Sequence, residues 1–145
     1  MKNSARLEFV IPDYAALLKR AGLRVTKPRI SVLTVLSTNP HATAEDVRQG
    51  VIQHLGSVST QAVYDVLHAL TESGIVREIE PAGSVSRYEI LHQRNHHHLI
   101  CRECYEIIDV ACVIGEPPCL SLPDSHGFEI DEAEVTFWGL CPKCK

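Results

Sequence analysis

Two cysteine pairs of identical spacing carry the narrowest chemical meaning in this sequence: Cys101-Arg-Glu-Cys104 and Cys141-Pro-Lys-Cys144. Two residues between thiolates let both sulfurs turn toward one ion. Two such knuckles complete a tetrahedral S4 set, which suits Zn²⁺ and leaves no open position for catalysis. One structural zinc per chain is therefore expected at Cys101, Cys104, Cys141 and Cys144. A pair of redox dithiols is the competing reading, but neither knuckle precedes the helix of a thioredoxin-like unit. Cys112 and Cys119 remain, either as small buried hydrophobes or as a reversible thiol switch. The second cluster is Asn95-His96-His97-His98. In an extended segment alternate residues share a face, so His96 and His98 can chelate one ion while His97 points away. Imidazole and carboxylate donors suit Fe²⁺, Mn²⁺ or Zn²⁺. His41 and Glu89 lie where they could reach such an ion from the other half of the chain.

The elements that must position these groups are legible in the periodicity. Residues 12–21 form a short amphipathic stretch stopped by Gly22. A second helix is expected over 27–37, with Pro28 in its first turn and Ile30, Leu33 and Leu36 turned inward. Thr43 reads as the N-cap of a third helix reaching about residue 54, with Glu45 and Asp46 in its first turn. A fourth helix, 59–73, carries Val63, Val66, Leu67 and Leu70 at helical spacing and stops at Gly74. Strands 75–80 and 85–91 flank the turn Pro81-Ala82-Gly83. Helices followed by a hairpin make a winged helix-turn-helix. The composition changes at 91–94, which reads as a linker, and the remainder is strand-like. The predicted class is α+β: residues 1–91 form a winged-helix DNA-binding domain, and residues 92–145 a second, α/β domain holding the cysteine site.

Composition narrows the function classes. With 145 residues, 45% of them hydrophobic, a packed core is feasible. No apolar run approaches the ~20 residues of a membrane helix, and the opening residues do not resemble a signal peptide. A cytoplasmic protein with no membrane partner is the expectation. Residues 1–30 carry seven Lys/Arg against two Asp/Glu, whereas residues 95–145 carry three against nine. That asymmetry points to a polyanion partner for the N-terminal part. A zinc hydrolase or deaminase is disfavoured, because the cysteine set is closed and no His-x-Glu signature appears. A metal store would leave the helix over 59–73, the recognition helix of such a winged domain, and the basic front unexplained.

Taken in order, Gly22-Leu-Arg-Val-Thr-Lys-Pro-Arg29, Ala44-Glu-Asp46, Ala62-Val-Tyr64, Gly74-Ile-Val76, His96-His-His98-Leu-Ile-Cys101 and both cysteine pairs resemble the ferric-uptake-regulator (Fur) superfamily. Gly127-Phe128, the run 131–134 and the tail 139–144 resemble its actinobacterial, catalase-linked branch. The resemblance implies a homodimer, formed through the C-terminal domain, that binds an AT-rich palindromic operator when metallated. It implies repression of iron-homeostasis or oxidative-stress genes, with no small-molecule substrate. It places regulatory ligands at His41, Glu89, His96 and His98. A further family site would use His97 and Glu116, but its two histidine positions fall on Asn95 and Ala133. That site is degraded unless His126, Glu132 or Glu134 substitutes. Glu at position 89 favours iron sensing, whereas the peroxide-sensing branch carries Asp there; a peroxide- or thiol-redox-sensing regulator is the alternative. The resemblance sets Tyr64 against thymine methyls and Arg24 in a minor groove. On the recognition helix, Gln61, Tyr64, Asp65 and His68 are left outside the core. Arg20, Lys27 and Arg29 are candidate phosphate contacts. Asp65 departs from the family pattern, which has Arg; it is expected to accept from cytosine or to support Arg29.

Overall fold

The structure, a computed structural model, describes residues 12–91, 96–111, 121–131 and 133–145. Each helix starts where a side chain satisfies an otherwise orphaned amide. Asp13 caps α1 (Tyr14–Arg20) and Thr26 caps α2 (Lys27–Thr38), whose first turn holds Pro28. After the two-residue strand β1 (Ala42–Thr43), a reciprocal capping box opens α3 (Ala44–Leu55). Thr43 Oγ1 accepts from the Asp46 amide at 3.2 Å, and Asp46 Oδ2 accepts from the Thr43 amide at 3.0 Å. Ser59 caps α4 (Thr60–Glu72) through the Ala62 amide. Gly74 then adopts φ 75°, and the Ile75 amide donates back to the Leu70 carbonyl, turning the chain directly into a strand.

The inward residues of these helices form one cluster that includes Leu18, Leu33, Leu36, Val47, Val51, Val63, Leu67 and Leu70. Helices α2 and α3 approach closely at Gly50, where a Cβ would stand 2.7 Å from Val35 Cγ2. Against the helices lies an antiparallel sheet of order β1-β3-β2, with β2 at Val76–Ile79 and β3 at Arg87–Ile90. Three helices and a hairpin make the expected winged helix. The short β1 was not apparent in the pattern; it pairs Ala42 with Tyr88.

The second sheet has the order β5-β4-β6. Strand β4 (His96–Cys101) pairs antiparallel with β5 (Ile107–Ala111) and parallel with β6 (Thr136–Gly139). One face packs Ile100 and Ile107 with Trp138, and Ile79 of β2 joins that cluster from the other sheet. On the opposite face Leu99 is flanked by Ile108 and Phe137 as cross-strand partners, each between 41% and 50% exposed. No helix among the described residues is long and apolar enough to cross a membrane.

Candidate metal centre

The parallel pairing of β4 and β6 sets Cys101 opposite Gly139. Both strands therefore end at the same edge, and each runs straight into a cysteine knuckle. The four sulfurs of Cys101, Cys104, Cys141 and Cys144 all lie within 4.8 Å of one another. Thiolates about 2.3 Å from a tetrahedral ion stand ~3.8 Å apart, and Cys104 Sγ and Cys141 Sγ are separated by 3.8 Å. The donors thus fit a tetrahedral soft ion. Backbone amides support the sulfurs, with the Cys141 N–H donating to Cys101 Sγ at 3.4 Å. Amides of the Cys104 and Cys141 backbone lower the Cys101 thiol to about 6, so it is the first to be a thiolate. Sulfur contacts from Cys141 and Cys104 push Cys144 up to about 12. Crowded thiols of this kind need a cation before all four can ionise.

A second cluster spans the two sheets. The β1–β3 pairing carries His41 beside Glu89, since the His41 amide donates to the Tyr88 carbonyl at 2.9 Å. His41 holds φ 64°, a conformation disfavoured for a residue with a Cβ, and Arg87 Nη1 donates to its carbonyl at 3.4 Å. From the other sheet, the β4–β5 register makes His98 and Asp109 direct partners. One donor atom from each of His41, Glu89, His98 and Asp109 falls within a 4.8 Å set. His41 Nε2 is 3.1 Å from Glu89 and 2.8 Å from Asp109. His98 Nε2 is 3.1 Å from Glu89 and 3.6 Å from Asp109. His96 Nε2 stands beside this group, 3.3 Å from Glu89 and 3.6 Å from Asp109. Donors about 2.1 Å from one ion are ~3 Å apart along an octahedral edge. Nitrogen–oxygen spacings of 2.8–3.6 Å therefore fit a single first-row divalent ion.

The electrostatics of this cluster are those of buried charge held by its neighbours. Burial alone would raise the Glu89 carboxyl. Hydrogen bonds from His41 and His98, with the charges of His98 and His96, reverse that and hold it well below the usual carboxylate range. For His98, burial alone would depress the imidazole; Glu89, followed by Glu134 and Asp109, raises it above its ordinary value.

Sequence reasoning missed Asp109. Its signal is indirect: only the hairpin joining β4 to β5 through the first knuckle sets it opposite His98. The expectation that His97 faces the other way agrees with its geometry, as its Nδ1 accepts the Val135 amide at 3.1 Å. Of the suggested substitutes for the degraded site, Glu134 lies instead at His98 Nδ1, 3.1 Å away. His126 sits on an exposed turn near Asp124. Glu116, Glu132, Cys112 and Cys119 lie outside the described residues, as do Asn95 and His92.

The outer face of α4 presents Gln61, Tyr64, Asp65 and His68 to solvent, with Tyr64 48% exposed. Gln61 Nε2 donates to Asp65 Oδ1 at 2.8 Å. Arg29 does not meet Asp65 as one expectation had it; its Nη1 donates to the Arg24 carbonyl at 2.7 Å, ordering the loop before α2. Arg24, Lys27 and Arg20 are exposed.

Comparison with known proteins decides the family. The family model described as Ferric uptake regulator family matches residues 20–138. The chain belongs to the ferric uptake regulator family. Transcriptional regulator FurA of Mycobacterium tuberculosis (strain H37Rv) is 56% identical over 134 residues, covering 92% of this chain and 91% of the relative. The ferric uptake regulation protein of Escherichia coli K12 is 32% identical, covering 89% and 88%. Among solved structures, the Vibrio cholerae ferric uptake regulator superposes with a TM-score of 0.66 at 28% identity, covering 89% of this chain and all of that one. The Pseudomonas aeruginosa regulator, solved with manganese, shares the fold with a TM-score of 0.69 at 23% identity, over 90% and 99% of the two chains. This Fur-family chain is thus a transcriptional regulator of α+β fold and not an enzyme.

Proposed function

We propose that this chain is a metal-responsive transcriptional repressor whose regulatory ion joins its two halves. The carrying observation is that His41 and Glu89 of the first sheet converge with His98 and Asp109 of the second. Residues 1–91 act as the DNA-binding domain and residues 92–145 as the dimerisation and metal-binding domain. His41, Glu89, His98 and Asp109 hold Fe²⁺, Mn²⁺ or Zn²⁺, with His96 completing the set; the ion supplies the positive charge that both carboxylates need. Cys101, Cys104, Cys141 and Cys144 hold one structural zinc, whose role is to pin the ends of β4 and β6. The apolar row Ile108–Leu99–Phe137 supports association with a second copy, since three exposed cross-strand hydrophobes favour burial. Two α4 helices in such a homodimer read an AT-rich palindrome, Gln61 and Tyr64 at base edges, Arg24 in a minor groove, Lys27 and Arg29 at phosphates. Closing the halves fixes the spacing of these helices, which couples metal binding to operator binding. Glu89 supports an iron-homeostasis signal, in the cytoplasm where such operators lie.

The test is anaerobic titration of Fe²⁺ or Mn²⁺ with fluorescence anisotropy on operator DNA. Wild type should gain affinity with metal. His41→Ala should lose on the order of tenfold or more in metal affinity, and with it metal-dependent binding, while keeping the cysteine-bound zinc. Arg24→Ala and Tyr64→Ala should bind metal normally and DNA weakly. Metal-independent binding by wild type, or unchanged metal dependence in His41→Ala, would refute the clamp.

A further inference from the structure

The regulatory cluster uses one nitrogen of each imidazole, which leaves open what fixes the other. For His98 the structure gives an answer. The side chain is fully buried on β4, so its ring cannot borrow water to settle its orientation. Its Nε2 faces Glu89 at 3.1 Å, on the side of the ligand set. Its Nδ1 faces Glu134 Oε1, also at 3.1 Å. Glu134 precedes β6 by one residue beyond Val135, whose carbonyl accepts the His98 amide at 3.2 Å. The backbone therefore brings the carboxylate to the ring. Glu134 is itself 3.7 Å from Arg77 Nη1, on β2. In the backbone register of the wing hairpin Arg77 stands opposite Glu89. A circuit of contacts runs from Glu89 to His98, to Glu134, to Arg77 and back to the strand beside Glu89.

We propose that Glu134 is a positioning residue of the regulatory centre, accepting the Nδ1 proton of His98 so that Nε2 is bare and aimed at the ion. This rests on the metal-site reading above. A ligating histidine commonly gives its second ring proton to a carboxylate, which fixes the tautomer and strengthens the donor nitrogen. Glu134 supplies that group here from outside the ligand set. Arg77 holds it from the DNA-binding half, so the tautomer of a ligand in one half is set partly by the wing strand of the other. The family's ligand pattern does not predict this, because the residue falls one position past the one its degraded site would use.

The experiment compares Glu134→Ala and Glu134→Gln with wild type in the full zinc-loaded chain. Mn²⁺ affinity is read by competition, and ring ¹⁵N shifts of His98 report which nitrogen carries the proton. Glu134→Ala should lose about 10–100-fold in Mn²⁺ affinity, the range for removing such a partner. In the metal-free form, at a pH where the His98 ring keeps one proton, that proton should then shift from Nδ1 to Nε2, where Glu89 accepts it at 3.1 Å. Glu134→Gln, which keeps an acceptor oxygen, should recover most of the affinity. Zinc content should stay as in wild type for both, whereas the thermal midpoint should fall in Glu134→Ala, which leaves the buried Nδ1–H without an acceptor, and recover in Glu134→Gln. Wild-type Mn²⁺ affinity in Glu134→Ala, with His98 still protonated at Nδ1, overturns the proposal. His98→Ala separates this from failure of the centre itself. If it loses Mn²⁺ while Glu134→Ala does not, only the positioning role falls; if it keeps Mn²⁺, the metal site falls and Glu134's role with it.

Discussion

At the scale of single residues, the proposed regulatory centre would set protons against metal. His98 is raised above its ordinary value of about 6.5, chiefly by Glu89 acting against burial. In the metal-free protein the His98–Glu89 pair thus adds stability that is fully present below about pH 6.5 and is lost as pH rises through the higher folded value. Glu89 shifts the opposite way, so its contribution persists above its unfolded value and disappears only in strong acid. An ion must displace the His98 proton. Mn²⁺ affinity should therefore begin to fall above about pH 6.5 as acid is added, earlier than an unperturbed histidine would require. A titration between about pH 8 and pH 6 checks this; a flat profile until below 6 would contradict it. His41, Glu89, His96 and His98 could be picked out by type and family position. Asp109 could not, because it becomes relevant only as the cross-strand partner of His98; Glu134 was legible only as a substitute for the degraded site, and its place at His98 follows from the pairing that brings β6 alongside β4.

At the scale of elements, caps and apolar periodicity were enough to set the helices within a residue or two. Thr43 with Asp46 and Ser59 with the Ala62 amide start helices where side-chain chemistry dictates. Strand pairing was not legible in the same way, since β1 has two residues and β6 pairs parallel with residues 38 positions earlier in the chain. The α2–α3 contact was likewise hidden. Gly50 looks like a weak helix residue, and Ala there would ordinarily stabilise by ~1 kcal/mol. Here an added Cβ would meet Val35, a buried side chain with a stiff χ1, at 2.7 Å. Overpacking of this sort costs about 1–3 kcal/mol. Gly50→Ala should therefore lower the unfolding free energy, as denaturant titration would show. A gain in stability would mean that the two helices separate without penalty.

At the scale of the molecule, both clusters tie together parts of the chain that are distant in sequence. Residues 101–104 and 141–144 meet only because β4 and β6 end at one edge. Cys141→Ser removes one donor of the set, and metal binding in such sites is coupled to folding. The variant should release zinc to a mild chelator and lose the far-ultraviolet signal of the second sheet, with the helices of the first half retained. Retention of zinc and sheet together would show that the knuckles do not hold β6 in place. The charge asymmetry, the winged helix and a meeting of the two halves at His41, Glu89, His96 and His98 were all apparent in the sequence; the apolar contact between the halves was not, because it depends on one residue of the wing.

That residue is Ile79. It lies on β2, within the wing, yet it packs with buried Ile100 and Ile107 and half-buried Trp138 of the second sheet. The turn that follows comes as near to that sheet: a Cβ on Gly83 would stand 3.0 Å from the hydroxyl of Tyr105, in the first knuckle. The wing hairpin is therefore a lever with its fulcrum in the other half's interior. Its tip cannot swing without drawing Ile79 out of that interior and wetting it. Opening events that expose the amides of β4 and β5 to solvent exchange should then be shared with β2, the four-residue strand that carries Ile79.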